Sequence, residues 1–249
     1  MNKQLFWKAG AILLALAVWQ GISMLVNMEM LLAPPWKVLV RLSTIWKEGD
    51  FLSTVLFSMF RIMGGFAIAF FVGIALALLA GRFRLVETLF WPYVAAIKTV
   101  PIASFIILCL IWFSFNQLTV FISFLIAFPV IYTNVLQGIR HTDPLLLEMA
   151  DLYHVRGTRK LFYIQLPGVM PYLTSAAGVA VGMAWKAGVA AEVIGVIKGS
   201  IGEKLYEAKI YFQNADLLCW TLVIILLSVV WEKGVVRLLH FAFKKAVNR

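Results

Sequence analysis

Two ionisable residues, Lys186 and Glu192, stand inside the otherwise apolar run MAWKAGVAAEVIG. A charge at the centre of a bilayer costs about 3 kcal/mol or more, so such residues face a water-filled cavity, pair with one another, or mark a solute pathway. Six positions apart on a helix, the two side chains point in different directions and do not pair directly. Lys186 is nearer mid-span and is the candidate for attracting an anion, with Trp185 beside it on the same pathway. The alternative for Lys186 is a structural ion pair with a carboxylate on another helix. Glu192 lies nearer the outer end, where a structural role competes with a pathway role. Lys98 can snorkel to the headgroups and carries less weight.

The other polar concentration is EMADLYHVRGTRKLFYIQLP, residues 148–167, lodged between long apolar segments. Leu145, Leu146, Met149, Leu152 and Tyr153 can line one face of a short helix, with Glu148 and Asp151 turned away. An apolar stripe outside the bilayer requires a groove to bury it, either on a partner or on the protein's own membrane domain. Arg156, Arg159 and Lys160 supply charge to the rim, and Pro167 stops the segment in a turn. Pro167 and Pro171 both fit at a helix start.

Composition sets the setting for both groups. Of the 249 residues 62% are hydrophobic and 14% charged, against roughly 45–50% and 25% in soluble domains, and mean hydropathy is +0.91. The formal charge of +10 lacks the basic stripe of a nucleic-acid binder. Cys109 and Cys219 lie in apolar runs and read as small buried hydrophobes, not a disulfide. Crossing roughly 30 Å of hydrocarbon takes about 20 apolar residues, which predicts six spans near 6–26, 57–80, 90–113, 118–138, 171–195 and 217–236. Gly64, Gly65, Gly73 and Gly81 would let neighbouring helices approach closely. Residues 34–50 read as a short amphipathic helix at the outer interface. Cations gather at Lys3, Lys8, Arg82, Arg84, Arg140, Arg156, Arg159, Lys160, Lys233 and Arg237 on one side. The opposite loops hold Lys37, Arg41, Lys47, Lys198, Lys204 and Lys209. The positive-inside rule then places both termini and the 148–167 segment in the cytoplasm. No GxxxxGK[ST] loop, metal-spaced Cys/His cluster, serine elbow or carboxylate pair is present, so the chain is expected to be non-catalytic and free of its own cofactor.

The 148–167 segment resembles the EAA loop of ABC importer permeases, which docks on the ATP-hydrolysing subunit. Glu148, Ala150, Ile164, Leu166 and Pro167 fall on the family positions, whereas Met149 replaces an Ala and His154 a turn-forming Gly. Gly157 could move that turn three residues along. Further pieces, APPWKV, SMFRIMGGFAIAFFVGIALALLAG, KTVPIASF and AWKAGVAAEVIG, resemble the nitrate/sulfonate/taurine/bicarbonate branch. The resemblance implies an all-α integral membrane protein of the type I (MetI-like) permease fold in a bacterial inner membrane. It implies one membrane domain over 1–249, a core over 55–240 and a coupling loop over 140–170. Glu148, Met149, Ala150, Asp151, Leu152, Tyr153, His154, Ile164, Leu166 and Pro167 would contact the ATPase. Implied partners are ABC ATPase subunits carrying ATP and Mg, an external solute-binding protein, a second permease copy and the lipid bilayer. An ion-gradient carrier, a channel and a membrane enzyme are the competing readings. They lack, respectively, internal repeats with broken helices, a ring of like charges and a catalytic constellation.

The topology is tested with an impermeant thiol reagent on intact cells. Arg84→Cys and Arg159→Cys are expected to stay unlabelled, and Glu48→Cys and Lys204→Cys to react. Labelling of Arg159→Cys from outside would overturn the orientation.

Overall fold

The computed structural model describes residues 3–26, 28 and 30–247; residues 1, 2, 248 and 249, on which the placement of the termini partly rests, lie outside them. The described residues form eleven α-helices and no strand, as the apolar runs predict. Three helices are long and apolar enough to cross a membrane. They belong to α3 (Phe51–Arg82), α6 (Phe115–Arg140) and α9 (Leu166–Gly195). Two outer helices, α1 (Lys3–Val26) and α11 (Asn214–Val247), carry the first and last apolar runs.

The span expected at 90–113 is instead two helices, α4 (Arg84–Thr99) and α5 (Ile102–Trp112), bent by 110°. The cause is local. Pro101 has no N–H and disfavours helical backbone at the residue before it, and Val100 is extended at φ −69°, ψ 130°. Counting that pair as one span gives four. The turn expected at Asn116-Gln117 falls earlier, because α6 already begins at Phe115. The fifth run also starts earlier than 171. Its helix extends over Tyr163–Gly195, about 50 Å at 1.5 Å per residue, so it overreaches the hydrocarbon.

Backbone contact fixes how α3, α6 and α9 meet. A Cβ added at Gly65 would lie 2.3 Å from the Val120 carbonyl oxygen and 2.8 Å from Ser123 Cβ. Gly73 meets Ile131 at 2.9 Å and Gly81 meets Ile139 at 2.9 Å, so α3 and α6 run parallel in register. Of the four glycines expected to admit a neighbour, Gly64 has nothing within 4 Å. Antiparallel α9 closes the trio. Gly188 would place a Cβ 2.6 Å from both Ile62 and Ser123 Oγ, and Gly138 faces the Val169 backbone at 3.1 Å. Ser123 Oγ donates to the Ala184 carbonyl at 3.3 Å. Without side chains between them the backbones gain dispersion contact that lipid tails cannot match.

The two ends of this bundle differ. At one end α2 (Pro35–Ile45) and α10 (Ile201–Ile210) cover the helix termini. The amphipathic reading of 34–50 holds in part: Val38 and Ile45 are buried while Leu39 and Trp46 stay exposed. Arg41 bridges Asp216, with Nη2 3.1 Å from Oδ2, and Glu48 at 2.5 Å. Lys204 Nζ lies 2.6 Å from Asp50. These pairings hold the Arg41 and Lys204 pKa values above their ordinary ones and the Asp50 carboxyl below its own. At the opposite end Arg140, closing α6, pairs with Glu87 of α4.

Gly65→Ala is expected to destabilise the purified protein by about 1–3 kcal/mol, since a carbonyl oxygen in a helix cannot step aside. Gly64→Ala should leave the thermal unfolding midpoint unchanged or raise it. Equal midpoints for the two variants would refute the close-contact account.

Candidate coupling loop and intramembrane charges

Beyond Arg140 the chain turns into α7 (Pro144–Leu152). Asp143 caps it, its carboxylate accepting the Leu145 N–H at 2.9 Å, and Pro144 takes the first helical position, where no N–H is needed. One side of α7 is covered at Ala150, 3% exposed. The other side is bare: Leu145, Leu146, Met149, Leu152 and Tyr153 are all exposed, Leu152 at 77%. Glu148 is exposed and makes no hydrogen bond or ion pair among the described residues. Asp151 takes Lys160 Nζ at 2.8 Å, tying the start of the loop to its return.

His154 stands where the family pattern places glycine, and the turn stays there. Its φ is +51°, the left-handed region. The Val155 N–H donates to the Ala150 carbonyl at 2.8 Å and the His154 N–H to Asp151 at 3.0 Å. Those two bonds make a Schellman cap, which glycine usually completes because a Cβ costs about 1–2 kcal/mol in that conformation. Gly157 does not take over; it opens the short helix α8 (Gly157–Lys160). A π-helical turn, Leu161–Gln165, then leads directly into α9. Pro167 sits in the first turn of α9, a helix-start proline as expected, whereas Pro171 falls inside the helix and not at its start. Pro167 is half-buried there with Ile164 and Leu166.

The intramembrane charges separate cleanly. Lys186 is exposed on α9, in a stripe with Ser175, Val179 and Met183. No carboxylate lies within ion-pair distance of it among the described residues, Glu192 included. Trp185, its neighbour, faces the opposite way and is fully buried, its indole N–H without a partner among the described residues.

Glu192 is fully buried where α9 meets α10. Ser58 Oγ of α3 donates to Glu192 Oε2 at 2.8 Å and itself accepts the Ile201 N–H at 2.9 Å. The Gly202 N–H donates to the same carboxylate oxygen at 3.3 Å. Arg61 of α3, stacked 3.7 Å over the Phe57 ring, adds an electrostatic interaction. A Cβ at Gly202 would sit 2.3 Å from Glu192 Cβ, so only glycine lets α10 approach. The turn between the helices is a second Schellman cap, with Val196 at φ +46° and the Ile197 N–H on the Glu192 carbonyl at 3.1 Å. Ser58 and Gly202 escape a reading of the sequence, although Ser200-Ile-Gly-Glu203 carries a legible helix-start signal. Ser200 Oγ accepts the Glu203 N–H at 3.1 Å.

No group of three or more potential metal ligands occurs among the described residues. Residues 69–232 match the family described as the inner membrane component of binding-protein-dependent transport systems. The putative aliphatic sulfonates transport permease SsuC of Bacillus subtilis is 26% identical over 86% of this chain and 78% of its own length. The taurine transport system permease TauC of Escherichia coli is 24% identical over 94% and 87%. The bicarbonate transport system permease CmpB of Synechococcus elongatus is 27% identical over 67% and 59%. The chain belongs to the inner-membrane components of binding-protein-dependent transport systems, the multi-pass permease subunits of ABC importers.

Proposed function

We propose that two copies of this chain form the translocation pathway for a small oxyanionic solute, handed over by an external solute-binding protein. Residues 140–170 couple that pathway to two ATPase subunits, which hold the ATP and Mg. The transport core spans 55–240, and six spans with both termini in the cytoplasm complete the topology. The observation that carries the coupling is the bare face of α7: Met149, Leu152 and Tyr153 are exposed at the end of the bundle while Ala150 on the other side is buried. Such a face stays in water only until a groove covers it. Glu148, without a partner among the described residues, is available to the ATPase.

Lys186 supports the second copy and the anionic cargo together. Facing lipid from mid-span, its ammonium would cost several kcal/mol; facing a water-filled path between two copies, it would not. Sulfonate, taurine and bicarbonate, named for the relatives, each carry an oxyanion group that a lysine attracts. Trp185 and Glu192 then back this path from within the bundle, without lining it.

Leu152→Asp and Glu148→Arg test the coupling. Burying an unpaired aspartate at the centre of an interface costs about 2 kcal/mol or more. The ATPase is expected to be lost on co-purification and uptake abolished, with the membrane fold intact. Retention of the ATPase at normal stoichiometry by the double variant would sink the reading.

A further inference from the structure

Between α4 and α6 lies a cavity of about 300 Å³ whose floor is the Glu87–Arg140 ion pair. Its upper wall holds Lys98. Lys98, exposed there, brings Nζ to 3.4 Å from Thr133 Oγ1. That hydroxyl already donates to the Pro129 carbonyl at 2.7 Å, so Lys98 meets only a neutral acceptor. Glu87, the one carboxylate lining the space, is engaged by Arg140. Tyr132 also lines the cavity; the residue is 3% exposed, and its hydroxyl has no hydrogen-bond partner among the described residues. Gln137 adds a side-chain amide. The lining thus carries one net positive charge, with an orphaned hydroxyl and an amide able to donate to oxygen.

We propose that this cavity is a binding site for a monoanionic oxyanion group, a sulfonate or a phosphodiester, held between Lys98 and Arg140. Thr133 to Arg140 is seven residues, about 10 Å of helix, a gap that the long side chains of Lys98 and Arg140 can close around one oxyanion group. The site is separate from the Lys186 face. Lys186 neighbours Ala184, whose carbonyl takes Ser123, and Ser123 stands ten residues before Thr133, about 15 Å away along α6. The cavity also opens at the end of the bundle that carries α7: Arg140 closes α6 three residues before the α7 cap. An anion that draws Arg140 from Glu87 therefore acts on the junction that aims the coupling helix. The same chemistry fits two occupants, a free solute and an anionic lipid headgroup.

The full-length chain, purified with the subunits that accompany it, is placed in phosphatidylcholine nanodiscs and its unfolding midpoint followed as methanesulfonate replaces gluconate at fixed ionic strength. A saturable rise is expected. Lys98→Gln should weaken half-saturation about tenfold or more, and Lys98→Arg should restore most of it. Tyr132→Phe should leave the midpoint without ligand unchanged, because its hydroxyl has no partner to lose, while weakening binding about threefold. Lys186→Gln should leave the Lys98-dependent part of the rise in place. If methanesulfonate has no effect but phosphatidylglycerol raises the midpoint in a Lys98-dependent way, the site stands and its occupant is the headgroup. Absence of any Lys98-dependent shift with either anion, or a methanesulfonate response abolished by Lys186→Gln and spared by Lys98→Gln, would overturn it. Binding is read here without ATP turnover, so its failure and a failure of ATPase docking are distinct results.

Discussion

Everything in this bundle hangs on the near-contact of three helix backbones. Gly65 of α3 rests on the Val120 carbonyl of α6, and Gly188 of α9 rests on Ile62 and Ser123 from the other two. Inside a bilayer the hydrophobic effect gives helices no reason to associate, since lipid tails are as apolar as leucine. Close dispersion contact and the occasional hydrogen bond must do it. Ser123 supplies both, filling the space over Gly188 and donating to Ala184. Because α3 and α6 are parallel and α9 antiparallel, this contact also fixes which loops share an end.

One end is tied shut and the other is left open to partners. At the tied end the Glu192 carboxylate gathers Ser58 and Gly202, drawing α3, α9 and α10 together, and the Arg41–Asp216 and Lys204–Asp50 pairs fasten the surface helices. Breaking a buried carboxylate's hydrogen bonds strands a charge, which costs more than the bonds contribute when made. At the open end α7 is closed by a cap at each terminus, presenting an apolar face and a glutamate with no partner among the described residues. A rigid frame at one end and a thinly anchored helix at the other is a layout through which a push on α7 can tilt α6 and α9. The continuous helix from Tyr163 to Gly195 joins the coupling loop directly to the Glu192 junction.

The strain in the structure is local and falls at helix ends. His154, Val196 and Phe212 all adopt positive φ, and each closes a helix with the same pair of backbone bonds. The Gln213 N–H reaches Ala208 at 2.8 Å and the Phe212 N–H reaches Lys209 at 3.3 Å. A Cβ at such positions is a cost of order 1–2 kcal/mol that the surrounding packing must offset. At His154 that cost sits in the candidate coupling loop, where the turn after α7 is kept without the residue that makes it easy.

Much of this was already present in the order of the residues. The apolar runs determined a helical membrane protein, the spacing from Glu148 to Pro167 marked the candidate coupling loop, and the period of Leu145, Met149 and Leu152 determined its exposed face. Those are local properties, set by hydrophobic length and the 3.6-residue turn. Helical phase against neighbours is not local. Gly64 and Gly65 are equivalent as letters, yet one touches nothing and the other carries the α3–α6 contact. Lys186 and Glu192 read alike as buried charges, yet the first faces outward and the second is wholly enclosed. Ser58 and Gly202, distant in sequence, meet Glu192 only after α3, α9 and α10 have converged. Tyr132, Lys98 and Arg140 share a cavity only because α4 leans on α6. Whether a side chain is a ligand, a strut or a lining depends on what stands opposite it, and that was decided by the tertiary packing alone.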